Sequence, residues 1–179
     1  MIRTLIMRKY DYRNGIGFIT RSTTKAFESA FDQQLRNKAG ITVAQSRVIG
    51  TLMLVKNGIT QKEIATRIGI EAPTIVPMID KLEEQGIVER RPDPDDRRNN
   101  LIFLTSKSET KWELIMECAL ELEKASCQGL ADEELEVTKT TLRKITKNVT
   151  GLYLKSNQTE SRREDNMMRV RKRQTSQHE

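Results

Sequence analysis

The side chains in this sequence best placed to do chemistry are cations beside turn and helix-start signals, and the chemistry they suit is holding an anion. Thr60 and Glu63 form a T-x-x-E pattern, in which each side chain satisfies an unpaired backbone N–H at a helix start. Gln61 and Lys62 lie in the same first turn, where free N–H groups and the helix dipole attract phosphate. Such contacts position a polyanion without reading its sequence. For Thr60 the capping role is the stronger one. A second concentration is Asp95-Asp96-Arg97-Arg98, in a stretch rich in turn residues. A guanidinium stays charged at any ordinary pH, and a neighbouring carboxylate can fix its direction. Taken alone the cluster reads either as solvated charge or as a group aimed at an anionic groove. Arg90 and Arg91 also have two readings, phosphate contact or exposed strand charge.

Bond-breaking chemistry has little to work with. There is no Gly-rich phosphate loop and no nucleophile motif, and the single histidine, His178, lies near the end of the sequence. Cys118 and Cys127 are too few for a disulfide framework and lack zinc-site spacing. Nine residues apart on one expected helix, they sit about 900° around its axis from each other, on opposite faces. They are expected to be buried small hydrophobes rather than redox sensors or ligands. No catalytic residue, metal or cofactor is therefore expected.

The 179 residues suit one compact domain with an extension. Lys and Arg number 31 against 25 Asp and Glu, and the net charge of +6 favours an anionic partner without identifying it. From Lys155 to Glu179 there are seven basic and four acidic residues, so half of that excess belongs to the last segment. No apolar run approaches the roughly 20 residues of a membrane span, and Met1 to Tyr12 lacks the pattern of a signal peptide. A cytoplasmic protein without membrane contact is expected.

The elements that must position these cations follow from periodicity and punctuation. Ile16, Ile19, Ala26, Phe27, Ala30, Phe31 and Leu35 predict a helix from about Asn14 to Lys38, stopped by Gly40. Thr42 caps a second helix that ends before Asn57-Gly58. Thr60 starts a third, which reaches Gly69 after about nine residues. Pro73 then fits the first turn of a fourth, running to Gln85 with Gly86 beyond it. Short helix, glycine turn and short helix outline a helix-turn-helix. In the fourth helix Ile75, Met78, Ile79 and Leu82 form the apolar stripe, opposite Thr74, Pro77, Lys81 and Glu84, a face that is either solvated or offered to a groove. Ile87–Arg91 and Leu101–Leu104 predict a hairpin. Thr105 caps a long helix to about Gly129, and Asp132 starts another to about Lys155; these end helices exceed what the small centre needs.

Several of these segments together resemble the MarR family of winged-helix regulators, and its SlyA-like branch in particular. They are Ile41-Thr42 with Gln45 and Arg47, Thr60-Gln61-Lys62-Glu63-Ile64-Ala65, Ile70-Glu71-Ala72-Pro73-Thr74-Ile75-Val76, and Leu82 to Arg90. The most specific are Asp96 and Arg98 followed by Leu104-Thr105. The resemblance implies a mainly α fold with a small β-hairpin wing, a winged helix-turn-helix flanked by long N- and C-terminal dimerisation helices. The implied organisation is an extension over 1–12, a dimerisation helix over 13–40, the DNA-binding domain over 41–105, dimerisation helices over 106–155 and a basic disordered tail over 156–179. A homodimer would place each recognition helix in a major groove of double-stranded DNA and each wing in the adjacent minor groove. The implied contacts are Thr60, Gln61, Lys62, Ala72, Pro73, Thr74, Pro77, Lys81, Arg90, Arg97 and Arg98, with Arg98 entering the minor groove and Asp96 holding it. A small aromatic or anionic effector and a repressor's role are implied as well.

One residue departs from the family pattern. Many relatives carry a long polar side chain where Pro77 stands, and a proline there predicts a kink or a late helix start. Base readout would then rest on Thr74, Lys81 and the wing. Pro77 and the modest charge of the folded body also leave open a winged helix turned protein-interaction module, with only non-specific DNA binding.

Overall fold

The computed structural model of the protein describes residues 11–55, 57–96 and 98–152. Most of the expected N-terminal extension, Arg97, His178 and the basic tail lie outside them. The described residues fall into two units, divided between Ser126 and Cys127.

In the first unit a short 3-10 turn at Tyr12–Asn14 precedes α1, Ile16–Ala39. Then come α2 (Val43–Met53), β1 (Ile59–Thr60), α3 (Gln61–Ile68), α4 (Ala72–Glu84), β2 (Val88–Pro92), β3 (Asn100–Leu104) and α5 (Lys107–Ser126). The second unit holds α6, residues 132–152, where the backbone N–H of Ala131 is closed by the Glu134 carboxylate. No helix among the described residues is long and apolar enough to cross a membrane.

Local chemistry explains these boundaries. Thr42 and Gln45 form a full capping box at the start of α2, and Thr60 and Glu63 form another at α3. The turn between α3 and α4 requires Gly69 at φ +73°, where the Ile70 N–H returns to the Ala65 carbonyl at 3.0 Å. Thr105 joins wing to helix: its hydroxyl donates to the Gly86 carbonyl at 2.6 Å and accepts from the Lys107 N–H.

The three strands run antiparallel in the order β1-β3-β2, with Val88 opposite Leu104 and Pro92 opposite Asn100. The expected hairpin is present, shifted by one residue at its outer end, and β1 is an addition. A two-residue strand carries no alternation for a sequence to show. Leu35, Ile41, Val48, Ile49, Leu52, Ile64, Ile75, Ile79, Leu82, Ile87, Val88 and Ile102 form one core, which Ile115 and Cys118 of α5 extend.

Two expectations need correcting, and one helix face is left open. Helix α4 begins at Ala72 with Glu71 as its N-cap residue and runs through Pro77, so there is no late start. Helix α5 stops at Ser126, short of Gly129, so Cys127 lies past its end. The apolar face of α1 is covered only in its second half: Leu35 is fully buried, whereas Ile16, Ile19 and Phe27 are exposed.

Candidate nucleic-acid interface

Helices α3 and α4 pack on the core through Ile64, Ala65, Ile75, Ile79 and Leu82, which turns their polar faces outward. Lys62 is exposed at the start of α3. The Glu63 carboxylate accepts from the Thr60 N–H at 2.8 Å, and this bond holds its pKa below the ordinary range. Ala72, Pro73, Thr74, Pro77 and Lys81 are all exposed on α4, so the predicted contact stripe is a continuous free face. Pro77 leaves the Pro73 carbonyl without its in-helix donor, and α4 tolerates the loss one turn from its start.

The wing tip is built around Asp96. One carboxylate oxygen accepts from the Arg98 N–H at 3.1 Å and lies 3.5 Å from the Arg98 Nε. The other accepts from the Asn99 amide at 3.1 Å, and the Asn99 N–H returns to the Asp96 carbonyl at 2.9 Å. Asp93 closes the loop below by accepting from the Asp95 N–H at 2.9 Å. Arg98 therefore stands on a backbone tied down by one side chain, while its guanidinium, 94% exposed, keeps most of its donors. An exposed ion pair of this kind adds little stability, and its value lies in direction.

Arg90 and Arg91 part company. Strand side chains alternate between faces; Arg91 points away from the core, stacks over Phe103 at 4.6 Å and pairs with Glu89. Arg90 shares the face of buried Val88, and its side chain is 19% exposed. Its guanidinium bonds Asp80 and Glu83 of α4, and its backbone N–H donates to the same Glu83 carboxylate at 2.9 Å. With the Gln61 amide oxygen turned toward it, Nε and Nη2 donate to that oxygen at 2.9 and 3.0 Å. Burial works against the Arg90 charge, but the two carboxylates outweigh it and push the pKa up. Neither expected reading of Arg90 describes this arrangement: it is a half-buried ion pair, not an exposed strand charge, and four of its five N–H donors are engaged. Asp80, Glu83 and Asn99 were missed from the sequence.

Cys118 is fully buried on α5, where burial pushes its thiol pKa up, the opposite of an activated nucleophile. Among the described residues no cluster of three His, Cys, Asp or Glu could hold a metal. An open pocket of about 450 Å³ lies between the ends of α1 and α4 and the start of α5, with Lys107 and Lys111 on its wall.

A model of the MarR family matches residues 39–99, the stretch that carries α2, both helices of the helix-turn-helix and the wing tip. That stretch of the chain is similar to the MarR family. The chain is 40% identical over 77 residues to an uncharacterized HTH-type transcriptional regulator of Bacillus subtilis, YwoH. The match covers 43% of this chain and 56% of that relative's length. A MarR-family transcriptional regulator from Rhodococcus sp. RHA1 superposes with a TM-score of 0.67 at 25% identity, over 76% of this chain and 96% of its own. CouR from Rhodococcus jostii RHA1, bound to p-coumaroyl-CoA, gives 0.61 at 26%, over 74% and 92%. Apo MarR from E. coli shares the fold, with a TM-score of 0.67 at 23% identity, over 73% and 96%. The matching model describes the family as a whole, so the SlyA-like placement stays an expectation of the sequence.

Proposed function

We propose that this protein is a cytoplasmic, sequence-reading transcriptional regulator, not an enzyme, that binds double-stranded DNA as a homodimer and acts as a ligand-responsive repressor. One observation carries the reading: an exposed arginine side chain, directed by Asp96, stands at the tip of a hairpin that follows a helix-turn-helix with a free second-helix face. A narrow minor groove concentrates negative potential and favours a guanidinium. Thr74 suits a thymine methyl or a base-edge acceptor in the major groove, and exposed Lys81 on the same face suits a base-edge acceptor as well. Exposed Ile16, Ile19 and Phe27 on α1, and exposed Val137, Val149 and Leu152 on α6, support a partner subunit that covers them. The pocket beside Lys107 and Lys111 suits an aromatic or other organic anion, and the p-coumaroyl-CoA held by CouR is of that class.

The test is binding to DNA from the protein's own promoter region across a salt series, for the intact chain, Arg98→Ala and a chain ending at Ser156. Nanomolar, sequence-preferring binding that Arg98→Ala weakens by roughly ten-fold or more is expected. A salt slope unchanged by the truncation would make the tail dispensable. Weak binding that is equal on unrelated DNA and indifferent to Arg98 would overturn the reading in favour of a protein-interaction module.

A further inference from the structure

We infer that Arg90 is a positioning residue that locks the wing to the recognition helix, so that Arg98 and α4 meet DNA as one rigid unit; the inference rests on the DNA-binding reading above. Three elements converge on this side chain: Gln61 from the start of α3, Asp80 and Glu83 from α4, and Arg90 itself from β2. Glu83 holds Arg90 twice, through the guanidinium and through the backbone N–H, which pins the strand as well as the side chain.

Charge argues against the alternative of a phosphate contact. One guanidinium facing two carboxylates is a net negative group, and an approaching phosphate would be repelled by it. The fork is also occupied, since Nη1, Nη2 and Nε all have acceptors. Lever length explains why a clamp matters at this point. Strand β2 continues for two residues beyond Arg90, to Pro92, about 7 Å at roughly 3.3 Å per residue, and the loop that carries Arg98 lies beyond that end. A rotation of about 10° at the clamp therefore moves the end of β2, and the loop it carries, by about an ångström, more than the roughly 0.5 Å distance window of a good hydrogen bond. The hairpin's other directional ties are the pairing of β3 with β1 and the Thr105 bonds at its base, while Val88 and Ile102 in the core hold it by apolar, non-directional contact.

A double-mutant cycle on promoter DNA tests the lock, with Arg98→Ala measured in wild type, in Arg90→Lys and in Glu83→Gln, each confirmed folded by circular dichroism. Lysine keeps a point charge that serves a phosphate well but cannot form the planar fork. If Arg90 is a lock, Arg98→Ala loses about ten-fold in wild type and under about three-fold in either background, because the wing is already unhinged. Hydrogen exchange without DNA then speeds up across residues 88–104 in Arg90→Lys. If Arg90 instead touches phosphate, Arg90→Lys binds nearly as wild type, the losses multiply independently, and Glu83→Gln tightens binding and steepens the salt slope by about one contact. That result, or independent losses with affinity unchanged by Arg90→Lys, overturns the lock while leaving the DNA-binding reading intact. Absence of specific binding by the wild type overturns both.

Discussion

Replacing Pro77 with alanine should raise the melting temperature. Pro77 lies within α4, an unbroken helix from Ala72 to Glu84, with its side chain exposed, so no core contact is lost on substitution. Alanine restores an N–H for the Pro73 carbonyl and removes the ring that crowds it. A proline in a helix interior costs about 3 kcal/mol relative to alanine. Against this, alanine frees the unfolded chain, which takes back about 0.4–1 kcal/mol. Pro77 is also only one turn from the helix start, where fewer bonds depend on it. About 1–2 kcal/mol of net stabilisation per chain remains, or a rise of roughly 2–8 °C for a chain of this size. The assay is a thermal melt followed by far-ultraviolet circular dichroism at fixed protein concentration, because the melting of any oligomer, the proposed dimer included, depends on concentration. Pro77→Arg should melt higher as well and, by adding a long cation to the free face of α4, should tighten DNA binding. An unchanged or lowered melting temperature for Pro77→Ala would refute the reasoning, since α4 would then have adapted to the proline at no cost.

Gly58→Ala should unseat the wing from below: a Cβ there would stand 2.5 Å from the Phe103 ring, the ring that carries Arg91. Overpacking of this kind costs about 1–3 kcal/mol, read from a urea titration, and unaltered stability would mean that the ring moves aside freely. Thr60→Ala should cost about 1 kcal/mol by uncapping α3. In the wild type the Glu63 pKa is lowered on folding, so its share of stability is present above the ordinary carboxylate pKa and is lost as pH falls through the lowered one. Thr60→Ala removes the hydroxyl but keeps the backbone N–H that chiefly lowers the Glu63 pKa, so carboxyl titration by NMR should move Glu63 only part of the way toward its ordinary value, and a full return would show that the N–H is not the main cause.

Most of the fold was legible because its signals are local. Thr60 with Glu63, Gly69 and Pro73 mark the helix-turn-helix, and the stripe Ile75, Met78, Ile79, Leu82 assigns the buried side of α4. Asp96 was equally readable, since its partners Arg98 and Asn99 lie within three residues. The capping box at α2 was half seen: Thr42 was assigned, but the Gln45 side chain that closes it was not. The apolar residues at the start of α1 show what periodicity leaves open. Their periodicity was correct, but periodicity tells only that a face is to be covered, not whether the cover comes from the same chain.

Arg90 was less legible, although half of its environment could have been reasoned out. Val88 had to face the core of the hairpin, and a period of two then places Arg90 on the same side and Arg91 on the other. A guanidinium facing a core must find carboxylates, and the nearest acidic residues in the chain that also face the sheet are on α4. What parity cannot supply is which of Asp80, Glu83 and Glu84 turns toward the strand; that depends on how α4 rolls over β2, a packing choice made by Ile75, Ile79 and Leu82 together. The same roll decides which side chains of α4 stay exposed. On the proposed reading, residues that read a groove and residues that hold the reader steady are selected by one packing event, and treating every arginine in the wing as a contact misses half of that selection.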